Sequence, residues 1–109
     1  ALSNSVRMSV IGLEKTLSTE LAPEVRANAV LPGSHETHRT TELIEQGVER
    51  GEYDSYEEGL AARAESNPLD RIGDPMNLGD TVAFLSSPRS EYISGTAILV
   101  DGGFSASNL

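Results

Sequence analysis

The sequence has no cysteine, a single lysine and only two histidines. Without cysteine, neither a disulfide nor a thiolate-bound zinc ion can form. Two histidines in one loop are too few for a convincing metal site, so we predict none. No apolar run approaches the roughly 20 residues that a membrane span needs, and the first residues lack the charged and apolar regions of a secretory signal. We therefore expect a cytoplasmic protein that does not enter a membrane.

Basic residues are scarce as well. Eight lysines and arginines stand against 17 aspartates and glutamates, which gives a formal net charge of −9. Because binding to nucleic-acid phosphates or anionic membranes needs a basic face, this balance argues against both partners. The acidic residues are spread along the chain and indicate a solvated surface. Such a surface is typical of a halophilic protein, since concentrated salt screens the self-repulsion. An ordinary acidic protein is the alternative.

Apolar periodicity predicts a long first helix, from about residue 2 to residue 21, that ends before Pro23. A later helix, over about 75–86, is predicted because Asp74 can cap it and Pro75 suits its first position. We expect the apolar faces of both helices to be buried. Those faces comprise Leu2, Val6, Val10, Leu13, Leu17 and Leu21 in the first helix, and Leu78, Val82 and Leu85 in the later one.

Two short apolar segments, residues 25–31 and 96–100, predict strands that are buried on both faces. Asn28 in the first of them is expected to be a structural tether. Helices between the strands favour a parallel arrangement. Two parallel strands cannot cover their own edges and faces. We therefore predict an α/β fold in which residues 1–109 form the carboxyl-terminal part of a single doubly wound domain.

The first strand runs into the pair Pro32 and Gly33, with Thr37 just beyond. In open α/β sheets, ligands bind where the carboxyl ends of the strands run out. A proline-glycine pair forms a fixed turn and lets a ligand approach the backbone. The turn is therefore a candidate ligand site.

A charged helical insertion over about 34–68 follows this turn. Its first helix is predicted to begin at Thr40 or Thr41 and to end at Gly51. Its second helix is predicted over about 55–65, behind a capping box formed by Asp54 and Glu57. An insertion in this place suits a lid over the ligand, and a surface excursion is the alternative.

Several short motifs occur along the chain in a fixed order. They are Ile11–Leu17, Leu21–Pro23, Val25–Gly33 with Thr37, Pro68–Pro75, Val82–Ser87, Tyr92–Gly95 and Val100–Gly103. Together, in this order and spacing, they resemble the short-chain dehydrogenase/reductase family over nearly the full length of the chain. The resemblance implies a Rossmann-like, seven-stranded parallel sheet, to which this chain would contribute the last two strands.

The resemblance also implies an oxidoreductase that transfers hydride between NAD or NADP and a small carbonyl or alcohol, most similar to the 3-oxoacyl reductases. It implies a homo-oligomer, either a dimer or a tetramer. The nicotinamide would lie against Pro32, Gly33, Ser34, His35 and Thr37. The family usually has an aliphatic residue where His35 stands, and we expect both His35 and His38 to be solvent-exposed loop residues.

The catalytic helix departs from the family. The family's catalytic tyrosine and lysine would fall on Ser3 and Arg7. A serine hydroxyl is a far weaker acid than a phenol beside a cation, and arginine does not relay protons. Two interpretations stay open. Ser3 and Arg7 act with another acid or a water, or the fold serves as a non-catalytic nucleotide-binding or assembly subunit. The family's glycine-rich phosphate loop is absent, so the isolated 109 residues are expected to be inactive.

Overall fold

The computed structural model describes the backbone of residues 2–107, together with the side chains of residue 5 and residues 7–105. Two compact units share the chain: a first unit, Ala1–Leu31 with Gly79–Leu99, and a second unit, Pro32–Leu78 with Val100–Leu109. The described elements are α1 (Leu2–Glu20), β1 (Ala29–Pro32), α2 (His38–Glu49), α3 (Tyr56–Ala64), α4 (Pro75–Leu85), a 3-10 turn (Pro88–Ser90), β2 (Ala97–Val100) and α5 (Phe104–Ser107).

The two strands form a parallel sheet. The N–H of Ala29 donates to the carbonyl of Thr96 at 2.9 Å, and that of Gly33 donates to the carbonyl of Val100 at 3.0 Å. Both bonds advance by four residues in the same direction, which fixes the register and confirms the predicted parallel pairing. Within the described residues, no helix combines the length and the apolar character that crossing a membrane requires.

Residues 25–28 precede β1 instead of belonging to the predicted longer strand. Their polar groups bind the end of α4 and the loop before β2. Arg26 donates to the carbonyls of Ile93 and Leu85 at 2.9 and 3.0 Å. The Asn28 amide donates to Ile93 O and accepts from the N–H of Thr96, both at 3.1 Å. The prediction that Asn28 is a structural tether is confirmed.

Helix α1 has the predicted length, but the prediction of its buried face is wrong for the residues that the structure describes; the side chains of Leu2 and Val6 lie outside them. Val10 and Leu13 are 50% and 59% exposed, whereas Glu14 is only 5% exposed. The helix meets the rest of the first unit through its other side, because Lys15 Nζ donates to the carbonyl of Gly95 at 3.1 Å. Ser18 lies on that side too, since a Cβ added at Gly95 would be 3.1 Å from its Oγ.

Strand burial and the inner face of α4 also differ from expectation. Ala29 is buried, whereas Leu99 is 50% exposed, so the strands are not covered on both faces. In α4, the prediction holds for Leu85, which is buried, but Val82 is exposed and Leu78 is only half-buried. Periodicity identifies which residues share a face, but burial depends on which elements are present to cover that face.

The helix caps of the second unit are partly those predicted. Asp74 caps α4 as expected, since its Oδ1 accepts from the N–H of Met76 at 2.8 Å. Helix α2 is capped by Thr37, which accepts from the N–H of Thr40, and not by Thr40 or Thr41. Gly51 follows α2 with a φ of +78°, a conformation that favours glycine.

The capping box of α3 lies one residue later than predicted. Ser55 Oγ accepts from the N–H of Glu58 at 3.1 Å, and Glu58 Oε2 accepts from the N–H of Asp54 at 3.3 Å. A serine and a glutamate three residues apart therefore replace the predicted pair of Asp54 and Glu57. Asp54 contributes only its backbone N–H to the cap.

Helices α2 and α3 pack closely around Ile44, which is fully buried. The ring of Tyr53 lies against two glycines. A Cβ added at Gly47 would be 2.8 Å from the Tyr53 ring, and one added at Gly59 would be 2.7 Å from Ile44 Cγ2. Because real Cβ atoms do not approach this closely, the hairpin of α2 and α3 needs glycine at both positions.

Candidate cofactor-binding turn

The candidate site is the segment from Pro32 to Thr37, called here the Pro32–Thr37 turn. It begins where β1 ends, in the second unit. Gly33 is pressed against the residue that follows β2: a Cβ at this position would be 2.6 Å from Asp101 Cβ and 2.8 Å from its Cα. Backbone atoms cannot move aside easily, so only glycine fits here. This close approach holds the start of the turn.

A second contact holds the middle of the turn. The N–H of Gly73 donates to the carbonyl of Ser34 at 2.9 Å, and the N–H of Glu36 donates to the carbonyl of Gly73 at 2.7 Å. His35 and Gly73 thus form an isolated parallel bridge. The segment just before α4 therefore fixes the conformation of the Pro32–Thr37 turn without any ligand.

The prediction that His35 is solvent-exposed is wrong. The residue is only 7% exposed, and its Nδ1 lies 2.9 Å from the carbonyl oxygen of Gly33. A carbonyl oxygen only accepts, so Nδ1 carries the proton. The ring packs over Gly73, where an added Cβ would be 2.6 Å from His35 Cδ2. The missing side chain of Gly73 makes room for the imidazole, and sequence spacing does not reveal such a distant partner.

His38 is exposed, as predicted, but it is the first residue of α2 and not a loop residue. Its side chain is 88% exposed, and its Nε2 lies 3.0 Å from Glu42 Oε1, one helical turn further along α2. This surface pair contributes little to stability, because water and salt screen it. His38 has the environment of an ordinary surface residue.

The turn offers hydroxyl groups to a ligand. Pro32, Ser34 and Thr37 are exposed. The carbonyl of His35 already accepts from the N–H of Thr37 at 2.8 Å and from the Thr40 hydroxyl at 2.8 Å. Together with the bonds to the Gly33 and Ser34 carbonyls, this leaves the backbone held in place before a ligand arrives. Hydroxyls both donate and accept, so Ser34 and Thr37 fit a carboxamide such as that of nicotinamide.

A hydrogen-bonded cluster that sequence reasoning missed adjoins the turn. Tyr56 on α3 donates to Glu36 Oε2 at 2.7 Å, and its hydroxyl lies 3.3 Å from Thr41 Oγ1. The Thr41 bond lowers the pKa of Tyr56, but the bond to Glu36, desolvation and the charges of Glu36 and Glu45 together raise it. The pKa of Tyr56 is thus raised, whereas a phenol activated for proton transfer has a lowered pKa. Its partners are up to 20 residues away in the chain, so no local motif indicates them.

The two predicted catalytic positions belong to the first unit. Ser3 lies on the first turn of α1, and its side chain is outside the described residues. Arg7 is exposed and engaged in an interaction. Four residues apart on a helix, the two positions share one face. The structure therefore unites the five predicted cofactor contacts in one turn and leaves the catalytic pair in the other unit.

The first unit also contains an open cavity of about 750 Å³. Its polar lining includes Arg26 and Asn28, whose side chains already bind the loop before β2. These two side chains are therefore engaged in holding the first unit together. Among the described residues, no group of three or more histidine, aspartate or glutamate side chains could hold a metal ion.

Residues 2–105 match the family model described as enoyl-(acyl carrier protein) reductase. The chain belongs to the short-chain dehydrogenase/reductase family, and the resemblance carried by its motifs is confirmed. It is similar to oxidoreductase UcpA of Salmonella typhimurium, 35% identical over 98 residues, which cover 89% of this chain and 36% of that protein. It is also similar to the 3-oxoacyl-(acyl-carrier-protein) reductase FabG of Aquifex aeolicus, 37% identical over 101 residues, which cover 92% and 36%.

A solved structure confirms the Rossmann-like α/β fold. L-sorbose reductase from Gluconobacter frateurii, solved in complex with NADPH and L-sorbose, superimposes with a TM-score of 0.82 at 29% identity. The match covers 93% of this chain and 39% of that one. The chain spans about a third of the length of the curated relatives it matches.

Proposed function

We propose that this chain is the carboxyl-terminal part of an NAD(P)-dependent oxidoreductase that transfers hydride between the cofactor and a carbonyl or alcohol, with 3-oxoacyl compounds as the substrate class. The family match over residues 2–105 carries this proposal. The similarity to a 3-oxoacyl reductase and to a reductase solved with NADPH supports the substrate class and the cofactor.

In this proposal, the Pro32–Thr37 turn holds the nicotinamide end of the cofactor. Its backbone is fixed by Gly73 and Asp101, and the exposed hydroxyls of Ser34 and Thr37 bind the carboxamide. The bound cofactor supplies or accepts the hydride. Helices α2 and α3, which follow the turn directly, cover the substrate and exclude water from it.

Proton transfer is assigned to the amino-terminal part of α1. The guanidinium of Arg7 is a cation with several N–H donors, so it suits the ribose hydroxyls and stabilises a developing oxyanion. It does not deliver a proton. A proton from bulk solvent reaches the substrate oxygen through a water that the Ser3 hydroxyl orients. Tyr56 is not assigned this step, because Glu36 opposes the loss of its proton.

A second candidate function is a non-catalytic nucleotide-binding or assembly subunit with the same fold. The serine at position 3 and the arginine at position 7 favour it, because neither residue has the acid-base properties of the tyrosine and lysine that the family has there.

One experiment separates the two candidates. The whole protein that carries this chain is titrated with NADH and NADPH, and turnover is then measured with ketones and 3-oxoacyl thioesters. Binding and turnover support the oxidoreductase, and binding without turnover supports the subunit. Failure to bind either cofactor contradicts the oxidoreductase. The double variant S34A/T37A should weaken binding, whereas H38A, which changes an exposed residue on α2, serves as the matched control.

We further propose a homo-oligomer, a dimer or a tetramer, in the cytoplasm of a salt-adapted cell. The exposed apolar face of α1 supports self-association. The net charge of −9 supports adaptation to salt. Sedimentation of the whole protein tests the first point, and thermal unfolding in low and high KCl tests the second. A monomer at every salt concentration contradicts the first, and stability that does not rise with KCl contradicts the second.

A further inference from the structure

We infer that His35 is a positioning residue, which fixes the Pro32–Thr37 turn for cofactor binding through the carbonyl of Gly33 and through its packing on Gly73. The inference rests on the proposed function, because it concerns how that site binds its cofactor. It assigns a role to a side chain that the family usually replaces by an aliphatic residue.

The first step is the hydrogen bond within the turn. His35 Nδ1–H donates to the Gly33 carbonyl at 2.9 Å. Only Ser34 separates the two residues, so this bond forms a short hydrogen-bonded loop. The loop holds the Gly33 carbonyl in one orientation. The His35 residue is only 7% exposed, so water competes little for this bond.

The second step is the fit between the imidazole and Gly73. A Cβ at Gly73 would be 2.6 Å from His35 Cδ2 and 2.8 Å from Nε2. The ring therefore occupies the space that any other residue at position 73 would fill. The two backbone bonds of Gly73, to Ser34 and Glu36, flank this packing on both sides.

These two contacts determine what the turn presents to a ligand. Because Gly73 bonds to the residues on either side of His35, the N–H and carbonyl of His35 itself point away from Gly73. The His35 carbonyl is engaged by Thr37 and Thr40. Its N–H is left as a donor of fixed direction. Removing the imidazole of His35 should therefore weaken cofactor binding and leave hydride transfer from bound cofactor unchanged.

The test uses the whole protein and three substitutions: H35A, H35N and G73A. H35A should weaken NAD(P)H binding about fivefold, the ratio that corresponds to a net hydrogen bond of ~1 kcal/mol. H35N should stay within about twofold of the wild type, because asparagine offers a donor near the position of Nδ1. The kcat at saturating cofactor should be unchanged in both variants. A merely structural role would lower kcat and binding together, and asparagine would not restore either.

The double variant H35A/G73A completes the test. G73A alone should weaken binding by about tenfold, because its methyl group displaces the ring. In the H35A background the same change should cost less than about twofold, because the ring is gone. If H35A binds NAD(P)H as tightly as the wild type, or if the effects of H35A and G73A simply add, the role of His35 is overturned. The proposed function is not affected by either result. A wild-type protein that binds no cofactor would overturn the proposed function and this inference with it.

Discussion

The two units of this chain differ in how far their own residues cover their apolar side chains. In the second unit, Ile44 is fully buried, and Ala64 and Ile72 are each 6% exposed. Glycines stand where side chains from other elements come close. The pairs are Gly33 with Asp101, Gly47 and Gly59 with Tyr53, Gly73 with His35, and Gly102 with Asn67. The second unit thus has a core made of its own residues.

The first unit shows the reverse. The apolar face of α1 is exposed, Tyr92 is fully exposed, and Val82 and Leu99 are about half-exposed. Meanwhile a carboxylate is buried: both oxygens of Glu14 lie out of reach of water and of any hydrogen-bond partner among the described residues. Exposed apolar faces together with a buried, unpartnered acid are unusual in a domain that forms its whole hydrophobic core from its own residues.

This difference explains why the candidate cofactor contacts are built by the chain itself. The Pro32–Thr37 turn lies in the second unit, which has fewer exposed large apolar side chains than the first, and contacts with Gly73 and Asp101 hold its backbone. The proposed proton-transfer residues lie on α1, in the unit whose apolar face is uncovered. Under the proposed function, binding of the nicotinamide end and proton transfer would therefore make different demands on the rest of the protein.

The largest predicted effect is a complete loss of activity in the isolated chain. If the first unit needs a further apolar surface, the 109 residues alone should not oxidise NADH or NADPH with any ketone, whereas the whole protein should. The absorbance of the reduced nicotinamide measures this directly. Turnover by a 109-residue preparation of verified mass would contradict this difference between the units. It would show that α1 supports proton transfer without a further surface to cover it.

Two alanine substitutions compare the packing of the units. Gly59→Ala should lower the free energy of unfolding by about 1–3 kcal/mol, because its methyl group overlaps Ile44 and Tyr53. Gly12→Ala, on α1, meets no atom within 4 Å. That change should raise stability by up to about 1 kcal/mol through helix propensity. Urea unfolding monitored by circular dichroism measures both. Equal effects would show that the second unit is no more tightly packed than the first.

Much of this architecture could be predicted from the sequence. Helix bounds follow from local periodicity and capping residues, so the limits of α1 and α4 lie within about two residues of expectation. The family follows from the order of short motifs. Helix starts are harder to predict where several capping residues stand close together. Thr37 and Ser55 cap the helices for which the sequence predicts Thr40 or Thr41 and Asp54.

Burial was harder to predict, because it depends on partners that are distant in the chain. The imidazole of His35 is covered by Gly73, and the phenol of Tyr56 is bound by Glu36. Neither pairing follows from spacing. Glu14 lies outside the apolar face that periodicity predicts to be buried, yet it is buried itself, because periodicity cannot say which side of a helix its neighbours will cover. The sequence therefore locates the candidate turn, whereas the contacts that hold its shape require the structure.

Removing the buried acid should stabilise the first unit. Glu14→Leu is expected to raise the free energy of unfolding by about 1–2 kcal/mol, because it replaces an unpartnered polar group by an apolar one. Glu20→Leu, at an exposed position of the same helix, should change stability by less than about 0.5 kcal/mol. Thermal unfolding of both variants measures the difference. Destabilisation by Glu14→Leu would mean that the carboxylate has a partner and that the first unit is better satisfied than we conclude.

The smallest predicted effect is a pH dependence confined to the second unit. Hydrogen bonds from Ser105 and from the N–H of Gly103 lower the pKa of Asp101 against an opposing effect of burial. A carboxyl group whose pKa is lower in the folded state stabilises the fold above its unfolded pKa of about 4, and this stabilisation is lost as the pH falls through the folded value. Asp101→Asn should remove that acid-dependent part of the unfolding curve and leave the rest unchanged. If the variant loses stability in acid by the same amount as the wild type, the dependence belongs to other carboxylates and not to Asp101.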